Sequence, residues 1–597
     1  MRLSKAQPTV TNTTMISTWR GYNRNIRISD GEFINMQNMT SDNYPVLSPR
    51  EKRGLVRHLT NCITIAATDK LYYCDDYKFY YDTRYICDLS ETDRKQFVQM
   101  GAYICIFPDK IAYNTYTDEI IQLESSFEAE NVAMTLCKMD GTSYDYTKMW
   151  IGNSEPEDRE AYPYWLDLSS KPAVLKLYSE NEMQWVSVPT VYVKMTARGL
   201  GAAFKEDDAV EISGSDIEDF NTSMILQAVP DDNSIVVIGL LETGMLINSK
   251  KMTFERKLPE LDYVCEHNNR LWGCSTDNHE IYACKQGDPT NWRYYGGLSS
   301  DSYAATVGTN GKFTGCIAHM GYVLFFKERC VHRLYGNTPS NFTLNCVELE
   351  GVQEGSERSL VSINEYLYYK SVNGICAYNG SIPTNISEAL GVQNYYDAVA
   401  GKYKDKYYVS MRDKDYNWSI FVYDIEKGLW HKEDNIRSAG FADYEGACYM
   451  VDQKNTMWVF PTEKIEQRMF PDMDWNDLYY YPSENVYPGY IVESVYEDDV
   501  EWFVETSDMG LDNPFQKYIS RLVLRLTMEE GAKIHIDIQY DSSGIWDELF
   551  NLISGDFKSY NIPLRVQRCD HFKLRISGVG NTMIYSMAEV IETGSEL

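Results

Sequence analysis

The chain has 597 residues, enough for several domains that each bury a core of their own. Aromatic residues make up 13% of it, with 47 tyrosines and 12 tryptophans, a composition suited to half-buried pleated surfaces. The 87 acidic and 56 basic residues leave a net charge of −31, which excludes a nucleic-acid or anionic-membrane binder working through clustered Lys and Arg.

Residues 1–57 are polar and irregular, and they read as an extended segment with no core of its own. Met1-Arg-Leu-Ser-Lys-Ala-Gln-Pro8 lacks the apolar run of a signal peptide. Pro45 and Pro49 fix an extended or turning path, so the segment is expected to lie across the main domain or a neighbouring subunit. Residues 58–123 then hold the first two copies of a recurring pattern, a small or polar turn followed by an aromatic-rich β run: Lys70-Leu-Tyr-Tyr73 and Gly101-Ala-Tyr-Ile-Cys-Ile-Phe107.

The pattern lapses over residues 124–252, which read as an inserted β-barrel-like domain. Val188–Met195 and Ser234–Gly239 are its clearest strands, with Pro230-Asp-Asp-Asn233 as a turn. It resumes over residues 253–469 as Asn269–Cys274, Gly321–Phe326, Glu365–Tyr369, Asp405–Val409 and Gly446–Met450. A second β run usually follows each copy, as in Val331–Tyr335 and Ile420–Tyr423. The spacing of roughly 40 to 50 residues is that of β-propeller blades. Five copies here and two before the insertion give about seven blades, with six or eight also compatible with the spacing.

A linker over residues 470–489 precedes residues 490–597, whose alternating runs Ile519–Leu526, Lys533–Tyr540 and Phe572–Ser577 predict a C-terminal β-sandwich. The fold class is therefore mainly β. Helix candidates are short and two in number, Glu91–Met100 and Pro461–Met469. No run approaches the 18 apolar residues of a membrane span.

Catalytic patterns find no support. The 14 cysteines include no C-x-x-C pair, and several sit inside β runs, where a free thiol acts as a small buried hydrophobe. With no signal peptide, they point to synthesis in a reducing cytosol. The eight histidines form neither H-E-x-x-H nor H-x-H. The pairs Asp75-Asp76, Asp207-Asp208, Asp231-Asp232 and Asp498-Asp499 read as solvated turns rather than opposed catalytic carboxylates. Asp541-Ser-Ser-Gly-Ile-Trp546 is a single loose relative of a sialidase Asp box, and Val307-Gly-Thr-Asn-Gly311 reads as a hairpin turn. Arg568-Cys-Asp-His571 reads as the turn before a strand starting at Phe572. The expectation is a non-enzymatic protein with no catalytic, cofactor-binding or metal-ligating residues and no cofactor.

Several short runs together carry a resemblance. Phe33-Ile-Asn-Met-Gln-Asn-Met39 with Tyr44-Pro-Val-Leu-Ser-Pro-Arg50 resembles the entry segment of tailed-phage tail components. Asn269–Trp272 through Asp288–Trp292 to Phe325–Glu328, then Gly351–Ser356 and Arg568–Gly578, fit the same pattern. The chain is similar in organisation to the propeller-containing tail nozzle or tail hub proteins of phages and prophages. That resemblance implies a structural virion protein, made in the host cytoplasm and assembled as a homo-hexameric ring in the phage tail. DNA would pass through the ring without sequence-specific binding. Adaptor proteins and fibres or spikes would be its neighbours. The acidic balance is compatible with a lumen through which DNA slides. The alternative is a carbohydrate-binding or glycan-hydrolysing propeller, since Trp and Tyr can stack on sugars.

Overall fold

The computed structural model describes residues 10–461, 496–511, 515–564 and 567–593. The linker over 470–489 and the helix candidate after Pro461 lie outside the described residues, as does the N-terminal octapeptide. Among the described residues there is no α-helix; strands are joined by turns and six short 3₁₀ segments.

Seven four-stranded meander sheets recur along the chain, and the fold is a β-propeller with two added β domains. Blades 1 to 7 occupy residues 62–88, 96–122, 263–306, 315–348, 361–385, 396–432 and 440–460. The aromatic runs each fall on the second strand of a blade: Leu71–Asp75, Tyr103–Phe107, Leu271–Ser275, Tyr322–Lys327, Tyr366–Ser371, Lys406–Arg412 and Ala447–Val451. An inner strand has neighbours at both edges and both faces covered, so it reads as an unbroken apolar run. Leu71–Asp75, Leu271–Ser275 and Ala447–Val451 are accordingly buried at every position. The turns before three of the second strands take up consecutive left-handed residues, Asn268-Asn269, Met320-Gly321 and Glu445-Gly446, the demand of a tight hairpin.

Blade 7 borrows its fourth strand from the N-terminal segment. Gly54–His58 pairs antiparallel with Thr456–Phe460, placing His58 opposite Thr456.

The chain divides into two compact units. One contains blades 1, 5, 6 and 7 with the C-terminal domain, and in it blades 5, 6, 7 and 1 stand side by side in that order. Blade 6 meets blade 7 so closely that a Cβ on Gly401 would lie 2.2 Å from that of Phe441. The other unit contains blades 2 and 3, neighbours of each other, and the insertion.

The insertion is an eight-stranded half-barrel whose first strand, Ser125–Ala129, pairs with its last, Met252–Arg256, Phe127 opposite Phe254. Adjacent entry and exit strands let such a domain grow out of one interblade connection. Leu136, Val193, Leu226, Val237 and Phe254 are among the residues of its core. A further four-stranded sheet, 149–187, lies within the same segment. Asp208, wholly buried, accepts from Arg256 at 2.5 Å.

The C-terminal β-sandwich is one sheet folded over itself. Ile519–Leu526 and Lys533–Tyr540, expected as separate runs, belong to a single 24-residue strand, Lys517–Tyr540. Its first half pairs with Thr582–Thr593 and its second with Phe572–Val579, while Asp547–Ile562 follows its other edge. The register slips between Met528 and Lys533, around Gly531 (φ 84°), and there the strand changes partners. Leu522, Leu524, Leu526, Ile534, Ile536 and Ile538 alternate into one core with Leu574, Ile576 and Met587.

The N-terminal segment is built into this sandwich. Val10–Ile16 pairs with Thr582–Thr593, and Glu32–Gln37 pairs with Glu501–Thr506. Trp19 stacks on Phe33 at 5.6 Å and donates its indole N–H to the carbonyl of Ile584 at 2.9 Å. Further on, Arg50 grips Glu497 with two hydrogen bonds of 2.7 and 2.8 Å. Arg53, 3% exposed, pairs with Glu433 at 2.6 Å and Asp434 at 2.5 Å.

Two local expectations are corrected. The stretch from Glu91 to Met100 contains no helix. Lys95 is buried and donates to the Ser90 carbonyl at 2.8 Å, closing a loop, and Gln96–Met100 is the first strand of blade 2. Val307–Gly311 is not a hairpin turn but part of the connection from blade 3 to blade 4, after Tyr303–Thr306 and before Gly315–His319.

Candidate functional site

A cavity of about 650 Å³ lies beside blade 6 and is lined in part by the N-terminal segment. Its volume is that of small-molecule sites. One wall is the loop joining Lys406–Arg412 to Trp418–Asp424. Asp413 organises that loop by accepting from the backbone N–H groups of Asp415 at 2.8 Å and Asn417 at 3.0 Å. Its second oxygen takes the amides of Asn417 and Gln393, each at 3.1 Å. Burial pushes the Asp413 carboxyl up, but these hydrogen bonds outweigh it and hold it below the usual carboxylate range.

The loop presents Tyr416 in a left-handed conformation (φ 64°), unusual for a bulky residue. Tyr416 is 72% exposed, with the Arg412 guanidinium 4.4 Å from its ring centroid. Trp418 opens the next strand with Arg437 5.4 Å from its ring.

The opposite wall is Tyr22 and Tyr395, both buried and packed on Phe421 at 5.9 and 5.2 Å. Arg24 hydrogen-bonds both phenols and donates to Gln393. Its backbone N–H donates to the Ala389 carbonyl at 2.8 Å, which fixes the segment against the propeller. Lys432, at the end of the last strand of blade 6, completes the lining. Burial pushes its ammonium below the usual lysine value and the Arg24 charge pushes it further, against the partial offset of Asp434 and Asp413. Among the described residues, none of Arg24, Lys432 and Arg437 forms an ion pair with a carboxylate.

The motifs weighed in the sequence lie elsewhere. Asp75 caps the turn before blade 1 by accepting from the N–H groups of Thr60 and Asn61. Asp207 and Asp208 divide between a salt bridge to Lys285 at 2.9 Å and the buried pair with Arg256. Asp231 ends a strand and accepts from the Asn233 N–H, and Asp499 pairs with Lys52 at 2.6 Å. None of these carboxylates lines the cavity beside blade 6.

Arg568–His571 does precede the strand that starts at Phe572. His571 Nε2 lies 2.9 Å from Ser542 Oγ, and its Nδ1 lies 3.1 Å from Asp570. Ser542 also donates to Asp508 at 3.1 Å, and Asp541 accepts from the N–H groups of Asp570 and His571. The group closes two neighbouring turns on an open surface. The Asp541–Trp546 run is one of those turns, with Asp541 and Ser542 both at φ 49°. Cysteine spacing gave no sign of one further cluster: Cys330, His332 and Cys346 of blade 4 bring their ligand atoms within 4.8 Å of one another. His332 Nε2 there is 2.8 Å from Thr309 Oγ1.

No protein-family model and no curated protein matches the chain. Solved structures similar to it include BamB from Moraxella catarrhalis, at 9% identity and a TM-score of 0.29, covering 66% of this chain and 92% of that one. An exo-beta-1,3-galactanase from Phanerochaete chrysosporium, solved with beta-1,3-galactotriose, has 10% identity and a TM-score of 0.20, covering 54% and 93%. The phage phi92 endosialidase has 9% identity and a TM-score of 0.22, covering 70% and 63%. Likeness of this order carries no statement about activity.

The cavity could not have been read from the sequence. Tyr22 and Arg24 lie some 370 to 430 residues from the rest of its lining, of which Phe421 alone falls in the recurring blade pattern.

Proposed function

We propose that this chain is a structural subunit of a tailed-phage or prophage tail, a nozzle or hub ring through which DNA leaves the particle and around which fibres or spikes attach. The observation that supports this most is the pairing of a −31 charge with an all-β scaffold. A wall of that sign repels the DNA backbone at short range and lets it slide, where a basic wall would hold it. The runs that carry the resemblance are also scaffold elements. Phe33, Met36 and Met39 are wholly buried, and Arg50 sits in the ion network beside blade 7. A subunit under ejection forces gains from such a seam, because the N-terminal segment cannot be peeled away without opening the sandwich and blade 7.

Electron microscopy and native mass spectrometry of the full-length protein test the reading, alone and with a co-expressed adaptor. Rings of uniform symmetry, six-fold on the resemblance, are expected, with acidic or neutral residues lining the lumen. A protein that stays monomeric in both conditions and is absent from particles would refute it, and so would a basic lumen.

A further inference from the structure

We propose that the cavity beside blade 6 is a binding site for a carboxylate-bearing saccharide, such as a uronic-acid unit of an acidic glycan. Three features of the site define that ligand.

The first is charge. On a chain with a large acidic excess, Arg24, Lys432 and Arg437 converge on one cavity against a single carboxylate. That carboxylate, Asp413, is consumed by its own loop, accepting two backbone N–H groups and two amides. The cations therefore face the cavity without an ion pair of their own, and the Arg24 charge adds to the burial that depresses the Lys432 ammonium. A planar carboxylate matches the fork of a guanidinium.

The second is the aromatic surface. Tyr416 is held out by a strained loop and backed on one side by Arg412, which orients its ring. Trp418 lies beside it under Arg437. Flat, partly exposed rings of this kind suit the C–H face of a pyranose, and each keeps a polar handle for hydroxyls.

The third is the amide set. Asn417, Asn435, Gln393 and Gln453 contribute side chains to the lining. Asn435 offers donors and an acceptor together, the pairing that adjacent sugar hydroxyls need, whereas Gln393 is held by Arg24 and Asp413. A bare inorganic anion has no use for the rings or for the acceptors. A cavity of about 650 Å³ accommodates a mono- or disaccharide.

The test is calorimetric titration of the full-length protein with digalacturonate, its dimethyl ester, neutral galactobiose and inorganic phosphate. Digalacturonate is expected to bind at least about tenfold more tightly than either the ester or galactobiose. Arg437→Gln, Lys432→Gln and Tyr416→Ala should each weaken digalacturonate by about fivefold or more, with an unchanged melting temperature showing that the fold survives. The ester comparison needs no variant, so it stands even where a substitution disturbs the loop. Absence of digalacturonate binding at about 10 mM would overturn the proposal, as would equal binding of the ester. Full displacement of digalacturonate by an equal concentration of phosphate would mark a plain anion site and overturn it too. None of these outcomes depends on whether the protein forms a ring.

Discussion

Replacing Arg53 by Met should release the strand that completes blade 7. Arg53 immediately precedes Gly54–His58 and is 3% exposed. Its guanidinium holds Glu433 at 2.6 Å and Asp434 at 2.5 Å, both buried. Asp434 Oδ1 has no hydrogen-bond partner, and only the longer contacts from Arg50, 3.8 Å to Glu433 and 3.4 Å to Asp434, remain to absorb the loss. Removing one member of a buried pair costs about 3–5 kcal/mol, because the partner charge stays buried without compensation. Here two carboxylates lose their nearest cation and keep the longer Arg50 contacts, which places the cost within that range. The assay is native-state hydrogen exchange of the Gly54–His58 amides, which reads local opening and needs no two-state assumption for so large a chain. Exchange should accelerate by about a hundred- to several-thousand-fold. The triple variant Arg53→Met, Glu433→Gln, Asp434→Asn removes the stranded charges and should recover most of the protection. A single variant that exchanges less than about fivefold faster would refute the reasoning, as would a triple variant no better than the single.

The same network and its neighbours carry a pH dependence. Burial would raise the Glu497 carboxyl, but the hydrogen bonds from Arg50 and the charge of Arg53 hold it below its ordinary value. Its contribution is therefore present above its unfolded pKa and is lost as the pH falls through the folded one. His431 acts in the same pH direction. It is pushed down to about 3, first by burial and then by the Lys406 charge, against Asp424 and Asp42 and with a smaller push from Lys427. Between pH 6.5 and 3 the unfolded chain takes up a proton that the folded one refuses, costing about 1.4 kcal/mol per pH unit. His431→Phe should remove about 2–3 kcal/mol of the acid sensitivity between pH 6 and 4 in urea unfolding, and an unchanged slope would count against that account. Thiol labelling gives an independent check. Of the 14 cysteines only Cys346 is exposed, while burial pushes Cys62, Cys284 and Cys376 up to about 12. One fast-reacting thiol is expected in the native protein, abolished by Cys346→Ser, and all 14 after denaturation.

Legibility followed burial. The inner strands of the blades could be found in the sequence because full burial forces a continuous aromatic and apolar run. The outer strands could not. Arg84–Asp88, Ile120–Gln122 and Thr384–Asn385 contain no fully buried residue and are too short to show a run or an alternation. Asp547–Ile562 escaped notice for a related reason, since Gly555 and several exposed polar residues blur its alternation. The role of residues 10–58 was illegible because their pairing partners lie some 400 to 580 positions away, as with Val10 opposite Thr593. Glu91–Met100 is expected as a short helix, but the pairing of Gln96–Met100 with Tyr103–Phe107 decides the local structure. The cavity is the extreme case. Its cations look like ordinary surface residues until the fold brings Arg24 to Lys432.

The borrowed strand of blade 7 also imposes an order of events on synthesis. Gly54–His58 leaves the ribosome early, yet its partner Thr456–Phe460 emerges roughly 400 residues later. At about 5–20 residues per second, the strand waits some 20 to 80 seconds without its mate. During that interval the nascent chain carries an unsatisfied β edge, with Arg53 beside it and no carboxylates yet made to receive it. Blades 1 to 6 can each close on local hairpins as they appear, whereas blade 7 is completed by a contact of very high sequence separation. The propeller is thus sealed last, at its own beginning, and a translating cell must shield that edge until the sealing is done.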